Sequence, residues 1–366
     1  MNIFIRTDSS EQIGSGHLMR CMFLADVLKG RGCDVHFVCR DFEGNLSQEA
    51  VSRGHKLHLI PHSGIKFSKR ESDPFHWSWL GAPWEEDAAN TKELISSAAI
   101  DWLIVDHYSI DFRWHHFLRT AADKIMVIDD LADRQLDCDL LLDQNYYNNP
   151  TERYSGLVSD RCKCLLGPSY MLLKEEFLKE RRYEHRGIGE AKRLLVSMGG
   201  ADQANDTAKV IYALDQIGYK FERVDIIVGG LNRNVDSIKK LCTSRKGFFF
   251  HQNVKNMEFF CREADFAIGT GGVGALERCY MGLPSVILTT AKNQLETNQA
   301  LDNVGAVKHL GWSTELSVTE LSKKLEKIFL DKDFIQLMAN KTQKIFGNVE
   351  FQGAQGVVNQ ILGIKS

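Results

Sequence analysis

Short apolar runs punctuate the first half of the chain, at residues 2–6, 34–39, 56–60, 101–106, 124–128 and 140–143. They are rich in Val, Ile and Leu, and the segments between them are long enough for a crossover helix. That pattern predicts a mainly parallel sheet covered on both faces. After the first run, Leu18, Cys21, Met22, Ala25 and Leu28 recur at spacings of three and four, the mark of one buried helix face. The second half repeats the alternation at 193–197, 224–228, 248–251, 266–268 and 285–288, and these runs end in small or polar residues such as Gly199-Gly200, Gly229-Gly230 and Gly269-Thr270-Gly271-Gly272. A second doubly wound α/β domain is predicted there.

Three stretches break the alternation. Residues 61–91 lack a strand pattern and hold His62, His76, Trp77, Trp79 and Trp84, which reads as a functional flap, a lid on the substrate side. Residues 178–192 turn charged around Gly187 and Gly189 and suit an interdomain linker, continuing from a helix at 174–182. The expected domains are therefore 1–180 and 190–366. Residues 316–362 are helical in pattern and long enough to cross back onto the first domain.

Composition narrows the class of protein. At 366 residues and 43% hydrophobic content the chain can fill two cores. Its formal charge of −3 argues against a broad basic face, and so against a nucleic-acid partner. The nine cysteines are scattered without a Cys-x-x-Cys pair and read as buried or free thiols of a reducing compartment. No run approaches the roughly 18 apolar residues of a membrane span, and no leader pattern is apparent, so a cytoplasmic protein without a membrane partner is expected. With no heptad seam, a monomer is expected.

The densest chemistry lies in residues 6–21, a strand, a loop and a helix start. His17 falls at the helix mouth, where unpaired N–H groups and the dipole disfavour imidazolium and suit a general base. Gly14 and Gly16 let backbone approach a ligand, and Asp8 and Arg20 bring both signs of charge. The same spacing also fits a first βα turn with an incidental histidine. A dinucleotide fingerprint would want a third glycine where Met19 stands. Asp106 ends a predicted strand on the same sheet edge and is a candidate to orient His17 or a substrate. Asp129, Asp130 and Asp133 lack matching His or Cys spacing, so neither a metal nor another cofactor is expected.

The second constellation is the glycine loop ending in Gly271-Gly272-Val273, with Glu277 in the helix it opens, and Gly199-Gly200 on another strand end. N–H groups at such helix starts hold a diphosphate, and a carboxylate one turn on can accept both ribose hydroxyls. Asn293, Gln294 and Asn298 follow the next strand as candidate substrate contacts. Taken singly, Glu277 reads equally as a dipole-neutralising charge, and the Asn/Gln cluster as a solvated helix face.

Together, the glycine loop, Glu277, Gly282-Leu283-Pro284 and the Gln294/Asn298 region resemble the nucleotide-sugar half of GT-B glycosyltransferase-type proteins. Arg6-x-Asp8, Ile13-Gly-Ser-Gly-His17-Leu-Met-Arg20-Cys21, Val105-Asp106-His107-Tyr108 and 128–134 look more specifically like the UDP-sugar hydrolases of pseudaminic acid biosynthesis, over essentially the whole chain. The resemblance implies two Rossmann-type domains with a cleft between them. It also implies hydrolysis of a UDP-sugar at the anomeric C–O bond, releasing UDP and 2,4-diacetamido-2,4,6-trideoxy-L-altrose with inversion. By it, His17 matches the catalytic base, Asn293 a substrate contact and Glu277 the uridine-ribose carboxylate. The lid aromatic stays open among Trp77, Trp79 and Trp84. The rival readings are a GT-B glycosyltransferase, a hydrolysing UDP-N-acetylglucosamine 2-epimerase and a non-enzymatic sugar-nucleotide sensor.

Overall fold

A computed structural model describes residues 1–64, 67–96, 99–181, 190–346 and 351–364. The chain forms two compact units. The first comprises Met1–Gln144, Asn149–Leu173 and Phe351–Ser366, the second Asn145–Asn148 and Lys174–Glu350.

The first unit runs β1 (Asn2–Thr7), α1 (Gly16–Gly30), β2 (Asp34–Arg40), α2 (Gln48–Ser52), β3 (Lys56–Ile60), α3 (Trp84–Ile95), β4 (Trp102–Asp106), α4 (Phe112–Leu118), β5 (Lys124–Ile128), β6 (Leu140–Asp143) and β7 (Lys163–Leu166). The strands are all parallel, in the order β3-β2-β1-β4-β5-β6-β7. Side chains alternate across the pleat, so Ile3, Ile5 and Ile104 pack with Leu18, Met22 and Ala25 of α1, while Phe4, Val38 and Val105 pack with Ala88 of α3 and Trp114 of α4. That alternation decides which face each polar strand-end residue joins.

The second unit runs α5 (Glu175–Glu180), β8 (Arg193–Ser197), α6 (Asp206–Asp215), β9 (Arg223–Val228), α7 (Val235–Thr243), β10 (Phe248–Gln252), α8 (Met257–Glu263), β11 (Phe266–Thr270), α9 (Val273–Tyr280), β12 (Ser285–Thr289), α10 (Leu295–Asn303), β13 (Lys308–Trp312), α11 (Val318–Leu330) and α12 (Lys332–Thr342). Its sheet is parallel in the order β10-β9-β8-β11-β12-β13. Helix α11 starts on a capping box, Ser317 with Glu320, and buries Leu321, Leu325 and Phe329 in this unit's core.

The domain limits at 180 and 190–366 are corrected at both ends. Residues 174–181 belong to the second unit. Helix α13 (Gly353–Ile361) belongs to the first, because Ala354, Val357, Val358 and Ile361 fill the core under α1 and Trp102 Nε1 donates to the Ile361 carbonyl at 3.1 Å. Only this last helix crosses back; α11 and α12 stay with the second unit. Most of the charged linker, 182–189, lies outside the described residues. Strands β7 and β13 escape sequence reading because polar residues and a glycine cut their apolar runs short: Lys163 opens β7, and Lys308, His309 and Gly311 break β13.

The segment at 61–91 is not a continuous flap. A 3-10 turn occupies Trp77–Leu80, and α3 begins at Trp84, with Asp87, Ala88 and Thr91 buried against the sheet. None of the nine cysteines is in a disulfide, and seven of them are buried. Among the described residues no helix is long and apolar enough to cross a membrane.

Candidate functional site

Asp106, the last residue of β4, continues the face of Trp102 and Ile104 and therefore meets α1. Its Oδ1 lies 2.6 Å from His17 Nδ1, and Arg20 clamps both oxygens, Nε to Oδ2 and Nη2 to Oδ1 at 2.6 Å each. His17 and Arg20 are three apart on α1, on the same side of the helix. Arg20 Nη1 also reaches Asp130 Oδ2 at 3.4 Å. Burial works to raise the Asp106 carboxyl, but Arg20 and His17 overcome it and hold it well below the usual carboxylate range. A carboxylate on Nδ1 selects the tautomer protonated there and leaves Nε2 as the basic nitrogen.

Aromatic rings surround His17. Tyr108 meets it edge-on at 4.4 Å between centroids, and Trp79 at 6.3 Å. Trp79 in turn stacks on Tyr108 at 5.6 Å and contacts His76 at 4.5 Å. Of the three lid tryptophans, Trp79 alone faces His17: Trp77 packs on Phe67, and Trp84 lies under Arg113. Burial raises the Tyr108 hydroxyl, with the Asp130 carboxylate adding to it.

Three predicted ligand contacts, Asp8, Arg20 and Asp106, hold partners inside the first unit. Asp8 follows Phe4 and Arg6 onto the opposite face of the sheet, fully buried, where Oδ1 accepts from Arg6 Nη1 and the Arg40 backbone N–H, both at 2.6 Å. His107 Nε2 is 3.2 Å from its Oδ2. Arg6 and Arg40 both bind Asp87, at 2.8 and 2.7 Å, and Trp114 Nε1 donates to the same carboxylate at 3.0 Å. Asp8 is thus one of four fully buried ions that cancel one another beneath the strand ends. Arg20 binds Asp106 and Asp130, and Asp106 binds His17 and Arg20. Asp87, Arg40 and Trp114 had no sequence signal; only their convergence in space reveals them. Gly14 turns the loop with φ +79°, donating to the Ser10 carbonyl at 2.8 Å, and Gly16 opens α1.

In the second unit, β8 and β11 are neighbours, so Gly199-Gly200 and Gly271-Gly272 emerge side by side. Gly272 caps α9 at φ +74°. Val273 begins the helix, whose first N–H groups have no carbonyl of their own turn to meet. Gly271 has no room for a side chain: a Cβ there would lie 2.0 Å from Asn298 Oδ1. Asn298 is itself buried, donating to Thr289 Oγ1 at 2.9 Å, so it supports the loop from within rather than facing solvent. Gln294 accepts from Thr290, and Asn293 is exposed on the turn before α10.

Glu277, in the second turn of α9, is half-buried and takes no hydrogen bond or ion pair among the described residues. Burial pushes its carboxyl up to about 7, with Arg278 opposing the rise. Among the described residues no group of three or more His, Cys, Asp or Glu side chains is arranged to hold a metal ion.

No family model matches the chain. In sequence it is 28% identical over 262 residues, 70% of this chain and 81% of the relative, to the UDP-2,4-diacetamido-2,4,6-trideoxy-beta-L-altropyranose hydrolase of Campylobacter jejuni. It is 21% identical over 313 residues, 85% of the chain and 84% of the relative, to the spore coat polysaccharide biosynthesis protein SpsG of Bacillus subtilis. In structure it matches MurG of Acinetobacter baumannii with a TM-score of 0.69 over 99% of both chains, at 12% identity. The chain therefore carries the GT-B fold, and its sequence is similar to a UDP-sugar hydrolase and to a polysaccharide-biosynthesis protein.

Proposed function

We propose that this protein hydrolyses a UDP-sugar at the anomeric C–O bond, releasing UDP and 2,4-diacetamido-2,4,6-trideoxy-L-altrose for pseudaminic acid biosynthesis. The observation that carries the reading is the Asp106–His17 pair, which holds Nε2 as a base at a helix mouth ringed by aromatic side chains. The identity of the sugar rests on the similarity to the Campylobacter jejuni hydrolase.

In this mechanism a water molecule attacks the anomeric carbon from the face opposite the diphosphate. Its oxygen forms the new C–O bond while the bond to the UDP oxygen breaks, and the water proton passes to His17 Nε2. Asp106 steadies the imidazolium that results. UDP is a weakly basic leaving group, so the second unit needs only to bind its charge, through the N–H groups at the start of α9 and around Gly199-Gly200. Glu277 accepts the two ribose hydroxyls, a role for which an unpaired carboxylate is suited. The chemistry assigned to these residues involves no metal. Asn293 and Trp79 are the proposed sugar contacts, and the reaction proceeds in the cytoplasm.

The test is turnover of the diacetamido-trideoxy UDP-sugar in oxygen-18 water, with a chelator and no acceptor. Label in the sugar, with inverted configuration at the anomeric centre, is the expected result. Label in UDP means attack at phosphorus, and UDP release only with an added acceptor means a glycosyltransferase; either outcome overturns the reading.

A further inference from the structure

Four buried arginines of the first unit, Arg6, Arg20, Arg40 and Arg134, each sit on an aspartate. Arg278 of α9 does not. It is only 5% exposed, and among the described residues no carboxylate lies within ion-pair distance. Among the described residues its side chain makes one hydrogen bond, from Nη2 to the Thr270 carbonyl at 2.7 Å, and its Nε is buried without a partner.

The side chain folds back along α9 toward the helix start, as long helical side chains do. The guanidinium there fills the space that two glycines leave open: a Cβ on Gly269 would lie 2.8 Å from Nη1, and one on Gly274 3.4 Å. A cation is thus placed at the positive end of a helix, where the dipole opposes it, and in the interior, where an unpaired charge is costly. Burial lowers its ordinary value accordingly. An arrangement unfavourable on both counts makes sense when an anion occupies the loop.

We propose that Arg278 is a buried counter-charge for a nucleoside diphosphate held on the Thr270–Val273 loop. It acts through that loop on the phosphates, as a positioning residue, without belonging to the hydrolytic chemistry. The inference rests on the proposed use of this loop for UDP.

The test compares UDP with uridine, which shares the base and ribose but has no phosphate. Titrations at pH 8 use the full chain as wild type, Arg278→Lys and Arg278→Met, each first checked for a native melting transition. Arg278→Met is expected to weaken UDP binding at least tenfold while changing uridine binding less than twofold, and to flatten the salt dependence of UDP affinity. Arg278→Lys should recover most of the loss. Equal losses of UDP and uridine, or unchanged UDP binding in Arg278→Met, overturn the proposal. If Arg278→Met does not fold, Arg278→Gln takes its place: UDP selectively weakened with uridine spared supports the proposal, and equal losses or unchanged UDP binding overturn it. Failure of the wild type to bind either ligand, while it binds another nucleoside diphosphate, overturns the uridine reading of the site instead.

Discussion

The two strand-end sites of this protein are built on opposite principles. Around His17 every charge is already answered within the first unit: Asp106 holds the imidazole, Arg20 holds Asp106, and Asp130 takes the remaining arm of Arg20. Around α9 the charges are left open, with Glu277 lacking a donor and Arg278 lacking an anion among the described residues. A base that must act in one geometry gains from being locked beforehand, since preorganised groups need no rearrangement during reaction. A site that must bind and release gains from groups whose partners arrive with the ligand, because a satisfied group has little left to offer.

Four measurements test that contrast. The largest effect is expected at His17. His17→Gln should lower turnover about 10²–10⁴-fold while UDP binding is retained, checked by steady-state kinetics and titration. Turnover near the wild-type rate would remove the base from the first site.

Next in size is Asp106→Asn. Breaking a buried ion cluster costs about 3–5 kcal/mol, so urea unfolding at pH 7 should show a loss of that order together with lost turnover. The sign with pH follows from the depressed carboxyl: its stabilisation is complete above the ordinary carboxylate range and is lost as pH falls through the lowered value. The gap between variant and wild type should therefore close in acid.

Glu277→Gln is expected to weaken uridine binding roughly 10-fold, the loss of about 1.4 kcal/mol from a charge-assisted hydrogen bond. Because the carboxyl is raised to about 7 from 4.5, ionising it costs folding stability as pH rises across that range. The Gln variant should accordingly unfold later than wild type at pH 8 and at the same point at pH 4.5. In wild type, uridine affinity should rise with pH through about 7, and in the variant it should stay flat. A pH-independent wild type would mean that Glu277 does not meet the ribose as a carboxylate.

The last effect is on stability alone, at Gly272, whose φ of +74° and ψ of −155° lie in a region essentially reserved for glycine, while a Cβ there meets only the end of Gln294 at 4.0 Å. Gly272→Ala should cost on the order of 1–3 kcal/mol of backbone strain in thermal unfolding, and Gly272→Asn as much, because that region favours neither side chain. A larger loss for Ala would point to a contact at the loop beyond backbone conformation.

Much of this architecture is legible in the chain. Short, near-continuous apolar runs mark eleven of the thirteen strands among the described residues, since burial on both faces demands continuous Val, Ile and Leu. The strand–loop–helix course around His17 and the glycine loop before Glu277 follow from local rules of turn and helix start, which need only a few neighbouring residues. Those short-range patterns also place Asp106 at a strand end. They do not say which face it joins.

Tertiary structure decided that, because a strand-end residue belongs to whichever layer its pleat presents it to. One step of register sends Asp106 to α1 and His17, and Asp8 away to Arg6, Arg40 and Asp87. The partners of Asp8 come from positions far apart in sequence, and nothing local marks Asp87 as a buried ion. The same holds for α13, whose apolar stripe fits either core as a pattern and is assigned to the first only by the surface it fills. Residue types alone set which groups could do chemistry; pairing and burial across the fold decided that Asp106 and Arg20 fix His17 in place and that, among the described residues, Glu277 and Arg278 have no charged partner.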